Sequence, residues 1–290
     1  MRSLLFVPGD SPRKLEKGLS SGADALLIDL EDSVVLSAKE EARRVTLGLL
    51  KEVVKQVDRP RLFVRVNGLT TGLTDADLDG IMEGAPDGIM LPKAVGGPDV
   101  SHLGAKLAVR EAEYGLEDGR TRIIAIATET ARGVFALGTF VGASHRLAGL
   151  TWGGEDLSAD IGAETNRGPD GLYTDPYRLA RSLTLFGAAA AEVDAIDTVY
   201  TNFRDLDGLA AECRDARRDG FVAKMAIHPA QVPVINEAFT PSPEAVAWAT
   251  SVIDAFAANP HAGVVGIDGE MIDRPHLKRA ERLMKRVAGR

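Results

Sequence analysis

The sequence predicts an α/β protein, a closed (β/α)8 TIM barrel with a C-terminal helical extension acting as a lid. Three observations predict it. Eight short apolar runs alternate with amphipathic helical patterns, chemistry-bearing polar residues follow those runs, and the 290 residues exceed one barrel of roughly 250 by only an appendage. An open doubly wound sheet would carry G-x-G-x-x-G after its first strand, and none stands there.

The first strand spans 3–7. Its apolar stretch is stopped by Pro8 and Gly9, too early for an export leader, whose apolar region needs about 7–15 residues. The other strands fall at 25–30, 62–66, 88–91, 123–127, 147–152, 195–200 and 221–227. Over 37–56, Ala38, Ala42, Val45, Leu49 and Val53 recur at three- and four-residue steps, the buried stripe of a helix. Another helix, 131–141, follows the fifth strand. These units assign 1–240 to a catalytic barrel. The breaker cluster Thr240-Pro241-Ser242-Pro243 opens the extension, 241–290, with a helix over 244–258, a glycine-rich loop over 261–269 and a basic terminal helix over 276–287. Such a segment can fold over a barrel mouth.

Composition narrows the partners. A hydrophobic fraction of 45% and a charged fraction of 26% allow a sizeable core, and the net charge of -8 opposes general nucleic-acid binding. The sole cysteine, Cys213, excludes an internal disulfide and a cysteine-rich metal site, and fits a reducing compartment. No apolar run approaches the roughly 18 residues of a membrane span. A cytoplasmic protein that binds neither membrane nor nucleic acid is expected.

Barrel chemistry sits at the C-terminal ends of the strands. Asp29, Glu31 and Asp32 end the second strand, Arg65 and Asn67 the third, and Lys93 follows the fourth. Glu129, in Thr128-Glu129-Thr130, follows the fifth, Asp156, in Gly153-Gly154-Glu155-Asp156, the sixth, and His228-Pro229 the eighth. Two carboxylates in one cleft repel, so they share a proton or a cation, and an oxygen-only pair suits magnesium. Both acids also stand where acids cap helices. The small Gly153 and Gly154 let a ligand approach backbone N–H groups. Arg65 can grip a carboxylate or carbonyl oxygen at two points, or form a salt bridge to Asp29 or Glu31. Glu31 and Asp32 read as acceptors for metal-bound water or for Arg65. Lys93 reads as an ion-pair partner of the acidic rim rather than a Schiff-base lysine, and His228 as a hydrogen-bonded residue shaping a strand end. Arg13, Lys14 and Lys17, after Pro8-Gly9, are either a solvated face or a hold for the phosphates of a long cofactor tail. Trp152 and Leu157 are expected to bear on pocket size.

These residues resemble the citrate lyase β chain / malyl-CoA lyase family of magnesium-dependent C–C lyases, within the HpcH/HpaI aldolase and CitE-like superfamily. The resemblance runs through residues 2–9, 28–34, 65–67, Leu91-Pro92-Lys93, 128–130, 154–156 and 226–229. It implies Glu129 and Asp156 as ligands of Mg2+, Arg65 on the oxo or hydroxy acid, and backbone amides near Glu155 on its carboxylate. A CoA thioester would run along Phe6, Lys17, Ile227 and Pro229, and homotrimers or hexamers are implied. The family's catalytic aspartate, often lent by a neighbouring subunit, matches Asp273 in Met271-Ile272-Asp273. The chain departs from some relatives in having Ser11 where a basic residue occurs, with Arg13 two positions on.

The implied reaction is reversible Claisen-type cleavage of a 3-hydroxyacyl-CoA, such as malyl-CoA or citramalyl-CoA, to an acyl-CoA and a small 2-oxo acid. A citrate lyase β subunit acting on a citryl-carrier-protein thioester is the enzymatic alternative. A non-catalytic thioester-binding or assembly subunit is the alternative of another class, disfavoured by the joint presence of Glu129, Asp156, Arg65 and Asp273.

Overall fold

A computed structural model describes residues 1–267 and 269–288. The chain divides into two compact units, Met1–Phe239 and Thr240–Arg290.

In the first unit eight parallel strands close into a barrel in sequence order, β1 (Ser3–Pro8), β2 (Ala25–Asp29), β3 (Arg61–Arg65), β4 (Gly88–Leu91), β5 (Arg122–Ile126), β6 (Leu147–Thr151), β7 (Asp194–Asp197) and β8 (Ala223–Ala226), with β8 paired back onto β1. The connecting helices are α1 (Pro12–Leu19), α2 (Lys39–Val53), α3 (Thr74–Ile81), α4 (Gly97–Glu113), α5 (Ala131–Ala136), α6 (Gly154–Ile161), α7 (Asp175–Ala190), α8 (Leu206–Asp219) and α9 (Gln231–Phe239). This is the barrel the sequence predicts. Among the described residues no helix is long and apolar enough to cross a membrane.

The period of two along a strand separates two cores. Leu4, Ala25, Leu27, Phe63, Met90, Ile124, Ile126, Ile196, Ala223 and Met225 fill the barrel, while residues of opposite parity, such as Leu26, Ile28 and Val64, pack under the helices. Phe63 takes so much of the interior that a Cβ on Gly88 would meet its Cε1 at 2.2 Å, so the fourth strand begins with glycine. Carried to the C-terminal end, the parity of Leu27 and Phe63 turns Asp29 and Arg65 inward, and register sets them side by side. At β7 and β8 the opposite parity sends Asp197 and Lys224 outward, again as register partners.

Several sequence expectations are corrected. The strand expected to reach 200 ends at Asp197, because Tyr200 leaves the ladder and gives its carbonyl to the Gln231 amide at 2.8 Å. The helix expected over 37–56 begins as a 3-10 turn, Leu36–Ala38, and is α-helical over Lys39–Val53. Its buried residues are Lys39, Ala42, Thr46, Leu50 and Val53, so Ala42 and Val53 of the expected stripe are buried, while Ala38, Val45 and Leu49 are only partly buried against the core. The expected helix 131–141 stops at Ala136 and continues as a 3-10 turn, Leu137–Phe140.

In the second unit α10 (Pro243–Ala258) packs on α11 (Arg274–Ala288) through Ala249, Val252, Phe256 and Ala280. The glycine-rich stretch read as a loop contains a strand, β9 (Val264–Ile267), paired antiparallel with β10 (Glu270–Asp273). The glycines hid a short alternation in which Val265 and Ile272 are buried.

Candidate active site

The second strand's last carboxylate is saturated with donors. Asp29 accepts from Arg65 Nε and Nη2, both at 2.7 Å, and from the Glu31 and Ser33 amides at 2.9 and 3.0 Å. Burial works against its charge, yet the Arg65 guanidinium beside it holds its carboxyl below the usual carboxylate range. Arg65 Nη1 forms an ion pair with Glu31 Oε2, 2.9 Å away but outside hydrogen-bond geometry, and the guanidinium lies 4.9 Å over the Phe6 ring. Both partners that the sequence offered for Arg65 are therefore used. The Glu31 backbone is tied from behind, since buried Lys39 donates to the Leu30 and Glu31 carbonyls at 2.6 and 2.7 Å, and Asn67 adds a bond to Leu30. Lys39 opens a helix and carried no sequence signal for this role.

Lys93 connects the fourth strand to both acids. Its backbone sits at φ 52, a left-handed conformation that costs a non-glycine residue about 1–3 kcal/mol. That conformation turns its amide onto Glu129 Oε2. Its ammonium pairs with Glu31 and lies 3.6 Å from Asp32 and 3.5 Å from Asp156, so neighbouring carboxylates hold it charged although burial opposes this.

Glu129 follows β5 and is 3% exposed. Thr130, next in the chain, caps α5 by accepting from the Gly133 amide, which leaves Glu129 free of the capping role. A Cβ on Gly153 would meet Glu129 Cγ at 2.7 Å, so the first glycine of the sixth-strand motif makes room for this carboxylate, not only for a ligand. Asp156 sits in the first turn of α6 beside Glu155, whose carboxylate accepts from Asn166 at 2.8 Å. The amides of that turn have no helical partner and can receive an anion.

The structure thus gathers Arg65, Glu129, Asp156 and, through Arg65, Phe6 around one rim. Lys17 stands exposed in the last turn of α1. Ile227 and Pro229 follow β8, where the Ile227 and His228 amides donate to Gln231, and His228 stacks on Phe203 at 5.0 Å. Trp152 and Leu157 are buried in the layer between strands and helices, so neither shapes the mouth directly. Asp273 ends β10 in the second unit, half exposed, and its carboxylate bonds to His276 Nδ1, which keeps its pKa low. A cavity of about 300 Å³ lies at the opposite mouth, among Arg61, Phe63, Arg122 and Leu147, away from these acids.

The donor chemistry fits a divalent cation. Five carboxylates, Asp29, Glu31, Asp32, Glu129 and Asp156, meet two directly paired cations, Arg65 and Lys93, an excess of negative charge that remains with Lys39 counted. Among the described residues no three acidic, histidine or cysteine side chains converge as a closed metal site needs. Two carboxylates with open positions are what magnesium uses, water or substrate oxygens completing its shell.

Burial pushes the Glu129 carboxyl from 4.5 up to about 8, helped by Asp156 and Glu31 and opposed by the Lys93 amide. Between those two values the folded protein keeps a proton that the unfolded chain has released, so stability from this group is full below the lower value and drains as pH rises through the upper. Thermal unfolding in chelator should show a melting temperature that falls from about pH 5 to about pH 8 and then levels. Glu129→Gln should flatten that slope.

The chain is similar to proteins of known family. The family model for HpcH/HpaI aldolase/citrate lyase matches residues 2–229. The citrate lyase subunit beta of Leuconostoc mesenteroides subsp. cremoris is 35% identical over 291 residues, covering 98% of this chain and 92% of that protein. The mitochondrial citramalyl-CoA lyase of Rattus norvegicus is 33% identical over 297 residues, covering 98% and 85%. The crystal structure of protein CitE from Mycobacterium tuberculosis in complex with magnesium, acetoacetate and coenzyme A superposes with a TM-score of 0.76 at 34% identity, covering 99% of this chain and 98% of that one.

Proposed function

Because the chain belongs to the HpcH/HpaI aldolase/citrate lyase family, we propose that it is a magnesium-dependent C–C lyase acting on a CoA thioester. It reversibly cleaves a 3-hydroxyacyl-CoA, such as malyl-CoA or citramalyl-CoA, to an acyl-CoA and a 2-oxo acid. The observation that carries this is the buried Glu129 carboxylate seated on Gly153 with Asp156 in the next turn, opposite a guanidinium already oriented by Asp29.

Glu129 and Asp156 hold Mg2+, which when bound supplies Lewis-acid polarisation of the 2-oxo acid's oxygens. Arg65 donates to the oxygen that is hydroxyl in the substrate and carbonyl in the product, and the amides near Glu155 receive the carboxylate. Phe6, Lys17, Ile227 and Pro229 run along the CoA thioester. In cleavage the 3-hydroxyl releases its proton to solvent water as its carbon becomes a carbonyl, the C–C pair moves to the carbon beside the thioester, and Asp273 in its acid form protonates that carbon and is left as the carboxylate. In condensation ionised Asp273 removes the same proton. Residues 241–290 serve as the lid that brings Asp273, from its own or a neighbouring subunit, to a barrel formed by 1–240. The assembly is a homotrimer or hexamer in the cytoplasm, which the family resemblance and the lone buried cysteine support.

The 35% identity to a citrate lyase subunit beta favours a second reading, in which the thioester is borne by a carrier protein. A panel of acyl-CoA donors crossed with glyoxylate, pyruvate and oxaloacetate, with and without magnesium, tests the first. Magnesium-dependent formation of one hydroxyacyl-CoA is the expected result. Inactivity with every free thioester, or thioester hydrolysis without C–C cleavage, would contradict it.

Arg65→Lys is expected to lower kcat/KM about 10²–10³-fold, because an ammonium cannot hold Asp29 at two points while donating to the substrate. Steady-state kinetics in the 2-oxo acid checks this.

A further inference from the structure

Behind the turn that carries Asp156, six side chains close a ring on the outer side of the sheet. Trp152 Nε1 donates to Asp197 Oδ1 at 2.7 Å. Lys224 Nζ donates to Asp197 Oδ2 at 2.9 Å and to Glu212 Oε1 at 2.8 Å. Arg167 donates to Glu212 Oε2 at 3.0 Å and lies 3.7 Å over the Tyr173 ring. Tyr173 completes the circuit edge-on against Trp152, with ring centroids 4.9 Å apart. Arg181 braces it from α7, donating to Asp197 at 3.3 Å and to Asp219 at 2.8 Å.

Asp197 and Lys224 are both fully buried. A buried pair of this kind at best breaks even against well-packed apolar side chains, so stability alone does not explain it. Its geometry does. Trp152 and Tyr173 are the ring members that press on the acid turn, since a Cβ on Gly154 would meet Tyr173 Cε1 at 3.3 Å and Trp152 Cζ3 at 3.4 Å. Gly154 opens α6, and Asp156 stands two residues on. The other four members orient those two aromatic rings, Asp197 by the indole N–H and Arg167 by the phenol face.

We propose that this ring is a positioning device for the turn bearing Asp156, and that Glu212, on α8, is the positioning residue joining its buried pair to the 162–174 segment. The functional part of the inference rests on Asp156 being a magnesium ligand.

Glu212→Gln tests it in the full chain. The glutamine keeps an acceptor for Lys224 but loses the charge that holds Arg167, and Glu212 is 19% exposed, so the barrel tolerates the change. Hydrogen-exchange mass spectrometry should show amides of the 152–162 peptide, together with those of 163–174, exchanging about tenfold faster, with peptides outside 152–174 unchanged. Magnesium calorimetry should show a dissociation constant raised about tenfold at an unaltered melting temperature, which a merely structural role would not produce. Unchanged exchange in 152–162 overturns the ring, as does exchange raised throughout the chain in both Glu212→Gln and Arg167→Lys. If the wild-type protein takes up no magnesium, the reading of Asp156 fails, and the exchange result still decides the ring.

Discussion

Glu129→Gln is expected to abolish magnesium binding, to lower kcat roughly 10³-fold or more, and to make the metal-free protein more stable. The three effects share a cause. Glu129 lies 3% exposed, takes one backbone bond from Lys93, and faces Asp156 and Glu31, so its ionised form is costly and is relieved by a proton at lower pH or by a bound cation. Glutamine keeps the acceptor for the Lys93 amide and removes the charge. Above pH 8 the gain should be about 3–5 kcal/mol, from the carboxyl's displacement to about 8. Calorimetric titration with magnesium and unfolding in chelator measure both sides. A variant that still binds the ion, or that is less stable at high pH, would remove Glu129 from the site.

Asp273→Asn should lower kcat by about 10²–10⁴-fold while leaving magnesium and 2-oxo acid binding as they are. The carboxylate bonds to His276 and is held ionised, the form the condensing direction requires. Asparagine keeps the hydrogen-bonding shape and loses the proton exchange. Pre-steady-state mixing of acyl-CoA with a 2-oxo acid, together with binding titrations, separates chemistry from affinity. Near-normal turnover would take Asp273 out of the mechanism.

The barrel was legible because eight apolar runs carry their own length and parity, and the fourth, Gly88–Leu91, has the expected limits. The positions of Glu129 and Asp156 were legible because each stands in the short segment after a strand, Glu129 just past β5 and Asp156 in the first helical turn after β6. What was not legible depends on contacts between distant segments. The left-handed turn at Lys93 depends on an amide reaching Glu129 from 36 residues away, and the need for Gly153 depends on the Glu129 methylene packed against it. Asp197 and Lys224 look like interruptions of apolar strands until register pairs them across 27 residues. The β9–β10 hairpin was hidden because Gly263, Gly266 and Gly269 read as breakers, although two of the three take no left-handed φ.

All of the chemistry turns on one cation shared by the acids that follow β5 and β6. Anomalous diffraction from crystals grown with manganese in place of magnesium locates it directly. The account requires one peak bonded by both Glu129 and Asp156, lost in Asp156→Asn. A peak elsewhere, or none, with the Lys93 ammonium still paired to Glu31 and Asp156, would contradict it.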